Sequence, residues 1–218
     1  MTILSNISKN LILIGGGGHC QSCIDVIEQE GKYKIWGILD ERHKIGQKVL
    51  DYEIIGDDND ILGFCKKGCS FLITVGQIQS AAVRKRIYLH LKKFEAKMAT
   101  VVSPLAYLSS YATLSEGTIV MHRALINAGA NIGVNCILNT GCLIEHNARI
   151  GDHSHISTLA IVNGDSTIGN ETFIGSNGII SNQIAIGNQV IIGAGSTVVT
   201  STGNGETWVG VPAKKNNR

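Results

Sequence analysis

Four of the seven histidines, His122, His146, His153 and His155, crowd into residues 122–155. Imidazole is the side chain best matched to proton transfer near neutral pH. A second chemical feature lies near the start. The apolar run Leu11–Ile14 ends in Gly15-Gly16-Gly17-Gly18-His19, and a glycine loop between a strand and a helix lets backbone N–H groups approach a phosphate. A third is cysteine: Cys20 and Cys23 form a CxxC, and Cys65 and Cys69 stand four apart, spacings that suit zinc or redox chemistry. Cys20 and Cys23, however, fall in the first helical turns after the glycine loop, where small residues belong. They read as buried thiols, as do Cys136 and Cys142. A zinc enzyme of the carbonic-anhydrase kind needs three convergent histidines. His153 and His155 flank Ser154, and no third histidine lies at a matching distance, so no metal is expected.

The element that must position the histidines is a repeat. Every sixth residue from Val102 to Val198 is a branched aliphatic, seventeen positions without a miss. Six are followed by glycine: Gly133, Gly151, Gly169, Gly175, Gly187 and Gly193. A period of six fits neither an α-helix nor a flat strand; it marks a hexapeptide solenoid. Two residues before each aliphatic the side chain is small, from Ala106 to Gly178, with Ile184 and Val190 breaking the rule near the end. Both registers should point inward. Three hexads make one triangular coil, so residues eighteen apart should stack at the inter-strand spacing of about 4.8 Å. Such solenoids are associated with acyl transfer from coenzyme A, which is an analogy from fold and not an assignment.

The first hundred residues have another rhythm. Ile35–Leu39 and Phe71–Val75 read as strands. The segments after the glycine loop and over residues 81–94 read as amphipathic helices, the latter striped by Val83, Ile87, Leu91 and Phe94. Strand–helix alternation implies a parallel sheet, with a domain boundary near residues 97–101. The expected architecture is therefore an α/β domain over residues 1–100, followed by an all-β domain over residues 101–218. The loop departs from a dinucleotide fingerprint, because Cys20 stands where the third glycine would be. Asp40, at the end of the second strand, occupies the place of an acid that meets a ribose or base. Half of a dinucleotide fold suits a nucleotide-activated small molecule.

Charge is nearly balanced at +2 and basic residues do not run beyond pairs such as Lys66-Lys67 and Lys92-Lys93, so nucleic acid is not an expected partner. No signal segment and no apolar stretch of membrane-span length is evident; a cytoplasmic protein without membrane insertion is expected. His146, two residues past an inward aliphatic, should lie at the surface. One coil on is Gly164, and Ser176 and Ala194 are also eighteen apart. A long pantetheine arm along the prism axis would meet such residues in turn.

Taken together, Ile14–His19 (IGGGGH), Leu39-Asp40-Glu41, Val75-Gly76, Asn139–His146 (NTGCLIEH), Ile150–Ser157 (IGDHSHIS) and Val209–Lys214 (VGVPAK) make the chain resemble the PglD/NeuD family of bacterial sugar acetyltransferases. The resemblance implies a left-handed parallel β-helix after a Rossmann-like domain, acetyl-CoA as co-substrate, and a homotrimer with active sites between subunits. It implies that His146 is the general base and that His155, Gly164, Ser176 and Ala194 contact acetyl-CoA. Gly17, Gly18, His19, Asp40, Glu41 and Gly76 would form the nucleotide-sugar pocket, with Glu145 and Asn139 beside the acceptor. The family often has an acid directly after the histidine; here that residue is Asn147. Its amide oxygen should orient the imidazole by accepting an N–H, with Glu145 or Asp152 able to supply a carboxylate. On that reading Asn147→Asp should raise activity near neutral pH. Lys214, Lys215 and Arg218 read as a frayed cationic tail within reach of coenzyme A phosphates.

The function expected is N-acetylation of the 4-amino group of a UDP-linked 4-amino-4,6-dideoxy-N-acetylhexosamine for surface-glycan precursors, by direct attack. The alternatives are O-acetylation of a sialic or legionaminic acid, N-acetylation of a GDP- or dTDP-linked amino sugar, and a non-catalytic scaffold.

Overall fold

The computed structural model describes residues 9–216; Arg218 lies outside the described residues. The chain opens with β1 (Lys9–Ile14), α1 (Gly18–Glu30), β2 (Tyr33–Leu39), β3 (Lys48–Val49), β4 (Tyr52–Gly56), α2 (Ile61–Lys66), β5 (Ser70–Ile73), α3 (Ala82–Lys93) and β6 (Lys97–Met98). These strands form one sheet in the order β3-β4-β2-β1-β5-β6. It is parallel except for the β3–β4 hairpin. Strand β1 is buried along Leu11–Ile14, as expected of a continuous apolar run in a sheet covered on both faces. Helix α1 buries Cys20, Cys23, Ile24, Val26 and Ile27 and stops at Gly31, whose φ of 67° closes the helix with a bond to the Ile27 carbonyl. The hairpin and α2 are additions to the sequence expectation.

From Val101 onward the chain winds as a left-handed parallel β-helix of two-residue strands, one per hexad. Three sheets form the walls of a prism. The first face contains the strands beginning at Val101, Ile119, Ile137, His155, Phe173 and Ile191; the second, those at Tyr107, Leu125, Leu143, Ile161, Ile179 and Thr197; the third, those at Thr113, Asn131, Arg149, Thr167 and Ala185. Partners are offset by eighteen residues without a slip, as in Leu125↔Leu143 and Leu143↔Ile161. The hexad aliphatics and the small register pack together inside, from Val120, Ala124 and Ile126 down to Ile192 and Val198. From Gly117 to Gly195 each corner closes with one residue in the left-handed conformation. Asn135, Asn147, His153, Asp165, Glu171 and Asn177 have φ between 53° and 59°, a region in which Asn and Asp are the best tolerated residues after glycine.

The outward side chains give the three faces different fates. On the first, Val101, Ile119 and Ile137 are buried in a shared core with Cys23, Ile24 and Ile27 of α1. On the third they are polar, with Thr113, Asn131, Arg149 and Thr167 in register. The second carries an uncovered apolar ladder of Leu125, Leu143, Ile161 and Ile179. The C-terminal segment is not frayed as expected: Lys214–Lys215 pairs with Thr207–Val209, and Lys215 Nζ bonds Glu206 Oε1 at 2.8 Å.

Two clamps straddle the first face. Arg84, fully buried on α3, donates from Nη1 to the carbonyls of Ile73 (3.0 Å) and Val75 (2.6 Å). Its Nη2 donates to the carbonyl (2.9 Å) and side-chain oxygen (2.8 Å) of Asn135 on the prism. At the opposite corner His122 bridges Ser103 Oγ (2.6 Å) and Asp25 Oδ2 of α1 (2.7 Å).

Candidate active site

The glycine loop sits where β1 hands over to α1. Gly15 has φ of 102°, and a Cβ there would stand 2.4 Å from Val75 Cγ2, so only glycine fits. Gly17 caps α1 without a side-chain bond, leaving the first-turn N–H groups facing a cleft of about 660 Å³ at the carboxyl ends of the parallel strands. Gly17, Gly18, His19, Asp40, Glu41 and Gly76 all line it. So do Lys44 and Asp57–Asn59, which come from segments between recognised elements, and Val83 and Arg86, which lie on the recognised helix α3, where the apolar stripe does not tell that its first turns border the glycine loop.

Asp40 is tied down. Its Oδ2 accepts from Gly16 N at 2.7 Å, and its Oδ1 from Glu41 N at 2.7 Å and Lys44 Nζ at 3.0 Å. Partial burial opposes its charge, yet the two amides and Lys44 outweigh burial and hold the carboxyl below the usual range. His19 is driven to about 4 by burial and by the charge of Arg84, so it is a neutral ring at pH 7. Its Nε2 is a buried polar atom with no partner among the described residues, as are both amide atoms of Gln77.

His146 occupies the corner between the second and third faces, with its side chain 53 % exposed. Gly164 lies one coil on, directly beneath the ring. Ser176 and Ala194 instead sit on the corner between the first and second faces. The single stack of small residues expected from the eighteen-residue spacing is therefore two stacks, one on each side of the apolar second face. The spacing is right within each pair; the two pairs are offset by twelve residues, which moves a site to another corner.

The neighbours of His146 also differ from expectation. Asn147 turns its amide nitrogen, not its oxygen, toward the ring, 3.5 Å from Nδ1, because that nitrogen donates to Asp165 Oδ1 at 3.0 Å. Neither proposed carboxylate supplies the ring. Glu145 Oε2 accepts from Asn127 Nδ2 (2.9 Å) and from its neighbour's backbone, His146 N (3.2 Å), and Asp152 Oδ1 accepts from Val134 N on a different corner. The nearest carboxylate is Asp165, with Oδ2 3.9 Å from His146 Nδ1.

His155 points outward from the first face but is covered. Its Nδ1–H donates to the Gln77 carbonyl at 2.7 Å, and its Nε2 accepts from Asn139 Nδ2 at 3.2 Å. Burial pushes it down to about 3 against that carbonyl bond, so it is neutral and ties the loop after Gly76 to the prism. Among the described residues no group of three His, Cys, Asp or Glu is placed to hold a metal ion, and no helix is long and apolar enough to cross a membrane. Cys20, Cys23, Cys136 and Cys142 are free and buried.

Residues 10–91 match the family model of the PglD N-terminal domain. The whole fold matches solved structures. One is a variant of GDP-perosamine N-acetyl transferase from Caulobacter crescentus in complex with CoA and GDP-perosamine, at 26 % identity and TM-score 0.90, covering 96 % of this chain and 97 % of that one. Over residues 10–91 this chain is similar to the PglD N-terminal domain, and over nearly its whole length to solved sugar N-acetyltransferases that use coenzyme A. A second similar structure, the acetyltransferase domain of PglB from Neisseria gonorrhoeae in complex with acetyl coenzyme A, is 25 % identical with TM-score 0.88, over 96 % of this chain and all (100 %) of that one. WeeI from Acinetobacter baumannii shares the fold at 20 % identity and TM-score 0.83, over 95 % of this chain and 100 % of that one. No curated protein sequence matches the chain significantly.

Proposed function

We propose that this chain transfers the acetyl group of acetyl-CoA to the 4-amino group of a UDP-linked 4-amino-4,6-dideoxy-N-acetylhexosamine, in the synthesis of a bacterial surface-glycan precursor. One observation carries the reading. A single chain combines a nucleotide-sized cleft at a helix N-terminus with a prism corner that presents an exposed imidazole over a glycine. In this reading the loop N–H groups and Lys44 hold the nucleotide phosphates. His146 takes a proton from the sugar amine as its nitrogen bonds to the thioester carbonyl carbon. Collapse of the tetrahedral intermediate breaks the C–S bond, and the proton passes to the departing thiolate, giving free coenzyme A and the amide. Direct attack needs no acyl-enzyme. Glu145 and Asn139 stand beside the acceptor, and Ser176 and Ala194 contact the pantetheine arm.

The cleft lining comes wholly from residues 14–87, and none of it from the prism. His146 lies on a corner away from the face that the N-terminal domain covers. The two parts are brought together by a neighbouring subunit, and the uncovered ladder Leu125, Leu143, Ile161 and Ile179 is the surface that a homotrimer would bury. The two corners named for coenzyme A and for the base border that ladder, which supports an active site between subunits.

A GDP-linked 4-amino sugar is the second reading, favoured by the GDP-perosamine bound to the Caulobacter enzyme. Coenzyme A release measured over UDP-, GDP- and dTDP-linked 4-amino-4,6-dideoxy sugars tests the choice. The first reading expects kcat/KM to be highest for the UDP sugar; preference for GDP would replace it with the second, and activity on free nonulosonic acids alone would sink both.

A further inference from the structure

An imidazole that accepts a proton at Nε2 must keep its other proton on Nδ1, and that N–H needs an acceptor. Asn147 does not provide one, because the atom facing Nδ1 is its amide nitrogen, a donor. Glu145 has turned its carboxylate to Asn127 and the backbone. The charged groups bordering this corner are then Glu145, Asp165 and Arg149, the last two sharing a polar depression with Asn147. Of these, only Asp165 brings an acceptor near the ring, Oδ2 at 3.9 Å from Nδ1. His146 and Asp165 are 53 % and 43 % exposed, so both side chains are free to close that gap to the roughly 2.8 Å of a charge-assisted bond. The carboxylate is already aimed, because its other oxygen accepts from Asn147 at 3.0 Å.

We propose that Asp165, reaching up from the next coil, is the positioning residue for His146. Its carboxylate accepts Nδ1–H, fixes the tautomer with Nε2 free for the acceptor, and stands beside the imidazolium that forms on proton transfer. Asn147 serves as the strut that holds the carboxylate. The proposal rests on the reading of His146 as general base. The backbone permits a direct test. Positions 147 and 165 occupy the same left-handed corner slot one coil apart, with φ of 58° and 59°, which Asn and Asp both tolerate. The amide and the carboxylate can therefore be exchanged. Asn147→Asp alone sets two carboxylates against each other, so the gain expected from the sequence does not follow.

The test compares wild type, Asp165→Asn, His146→Ala and the exchange Asn147→Asp/Asp165→Asn in the full-length protein. Two readouts are taken: the His146 tautomer from 15N NMR of histidine-labelled protein, and steady-state acetyl transfer. Wild type should show Nδ1 protonated. Asp165→Asn should lose that preference and lower kcat roughly 10- to 100-fold, with KM for both substrates within about twofold. The exchange should restore the tautomer and most of kcat, which a merely structural role for Asp165 would not produce. An unchanged tautomer and kcat in Asp165→Asn would overturn the positioning role while leaving the base reading intact. Full activity in His146→Ala would remove the base reading and the positioning role with it. If no nucleotide sugar is acetylated, the tautomer alone decides the proposal: its loss in Asp165→Asn and return in the exchange support it, and their absence overturns it.

Discussion

The imidazole of His146 rests on the bare backbone of Gly164. A Cβ at position 164 would stand 2.5 Å from His146 Cε1 and 2.6 Å from Nε2. The glycine is therefore a seat for the ring, and its backbone is not in the left-handed region that would require glycine on conformational grounds. Gly164→Ala should push the exposed ring aside at little cost to the fold. Acetyl transfer should fall about 10- to 100-fold, with unfolding free energy within about 0.5 kcal/mol of wild type. Gly169→Ala is the contrast: its Cβ would meet the Asn188 and Gly187 backbone at 2.6 Å, where nothing flexible can yield, so stability should drop. Parallel urea melts and rate assays check the pair.

Arg84 joins sheet and prism through four acceptors while fully buried. Arg84→Met would strand those oxygens and should cost about 3–5 kcal/mol. Arg84→Lys should recover only part of that, because an ammonium cannot span two pairs of acceptors as a guanidinium fork does. Urea unfolding midpoints at constant m-value measure both.

Acid should weaken the protein through its buried histidines. Burial, with Arg84, lowers His19 to about 4, and burial lowers His155 to about 3, both below the unfolded value of about 6.5. Between those values the unfolded chain binds protons that the folded chain refuses, so stability is complete above pH 6.5 and declines as pH falls. The slope approaches about 1.4 kcal/mol per pH unit for each histidine. Unfolding free energies from pH 7 to pH 4.5 should fall less steeply in His155→Phe than in wild type; equal slopes would remove His155 from this account.

The second prism face supplies a prediction about assembly. Ile161→Glu, with its outward side chain in the middle of the apolar ladder, should break the proposed trimer into monomers in analytical ultracentrifugation and abolish transfer while leaving far-UV circular dichroism unchanged. A variant that remains trimeric would exclude this face as the interface.

The period of six made the prism legible. From it follow the inward registers from Val102 to Val198, the surface position of His146 and its stacking on Gly164. The glycine loop and Asp40 were legible as strand-end features, and the cleft contains them. The β3–β4 hairpin escaped because Leu50 and Asp51, which connect it, lack an Asn-Gly type signal and the strands are short. The burial of His155 escaped because periodicity tells which residues point outward but not which face another domain covers. Asp165 is legible on the same ground: it follows Asn147 by eighteen residues, as Gly164 follows His146, and both occupy the corner slot where Asn and Asp recur.

The central claim is acetyl transfer to a nucleotide-linked amine with His146 as base. Its most direct test is coenzyme A thiol release from acetyl-CoA, with UDP-4-amino-4,6-dideoxy-N-acetylglucosamine as acceptor, in wild type and His146→Ala. Release should depend on the acceptor in wild type and fall about 10²- to 10⁴-fold in the variant. Equal release in the two proteins would contradict the role of His146, and no release with this or any other nucleotide-linked amino sugar would contradict the reaction.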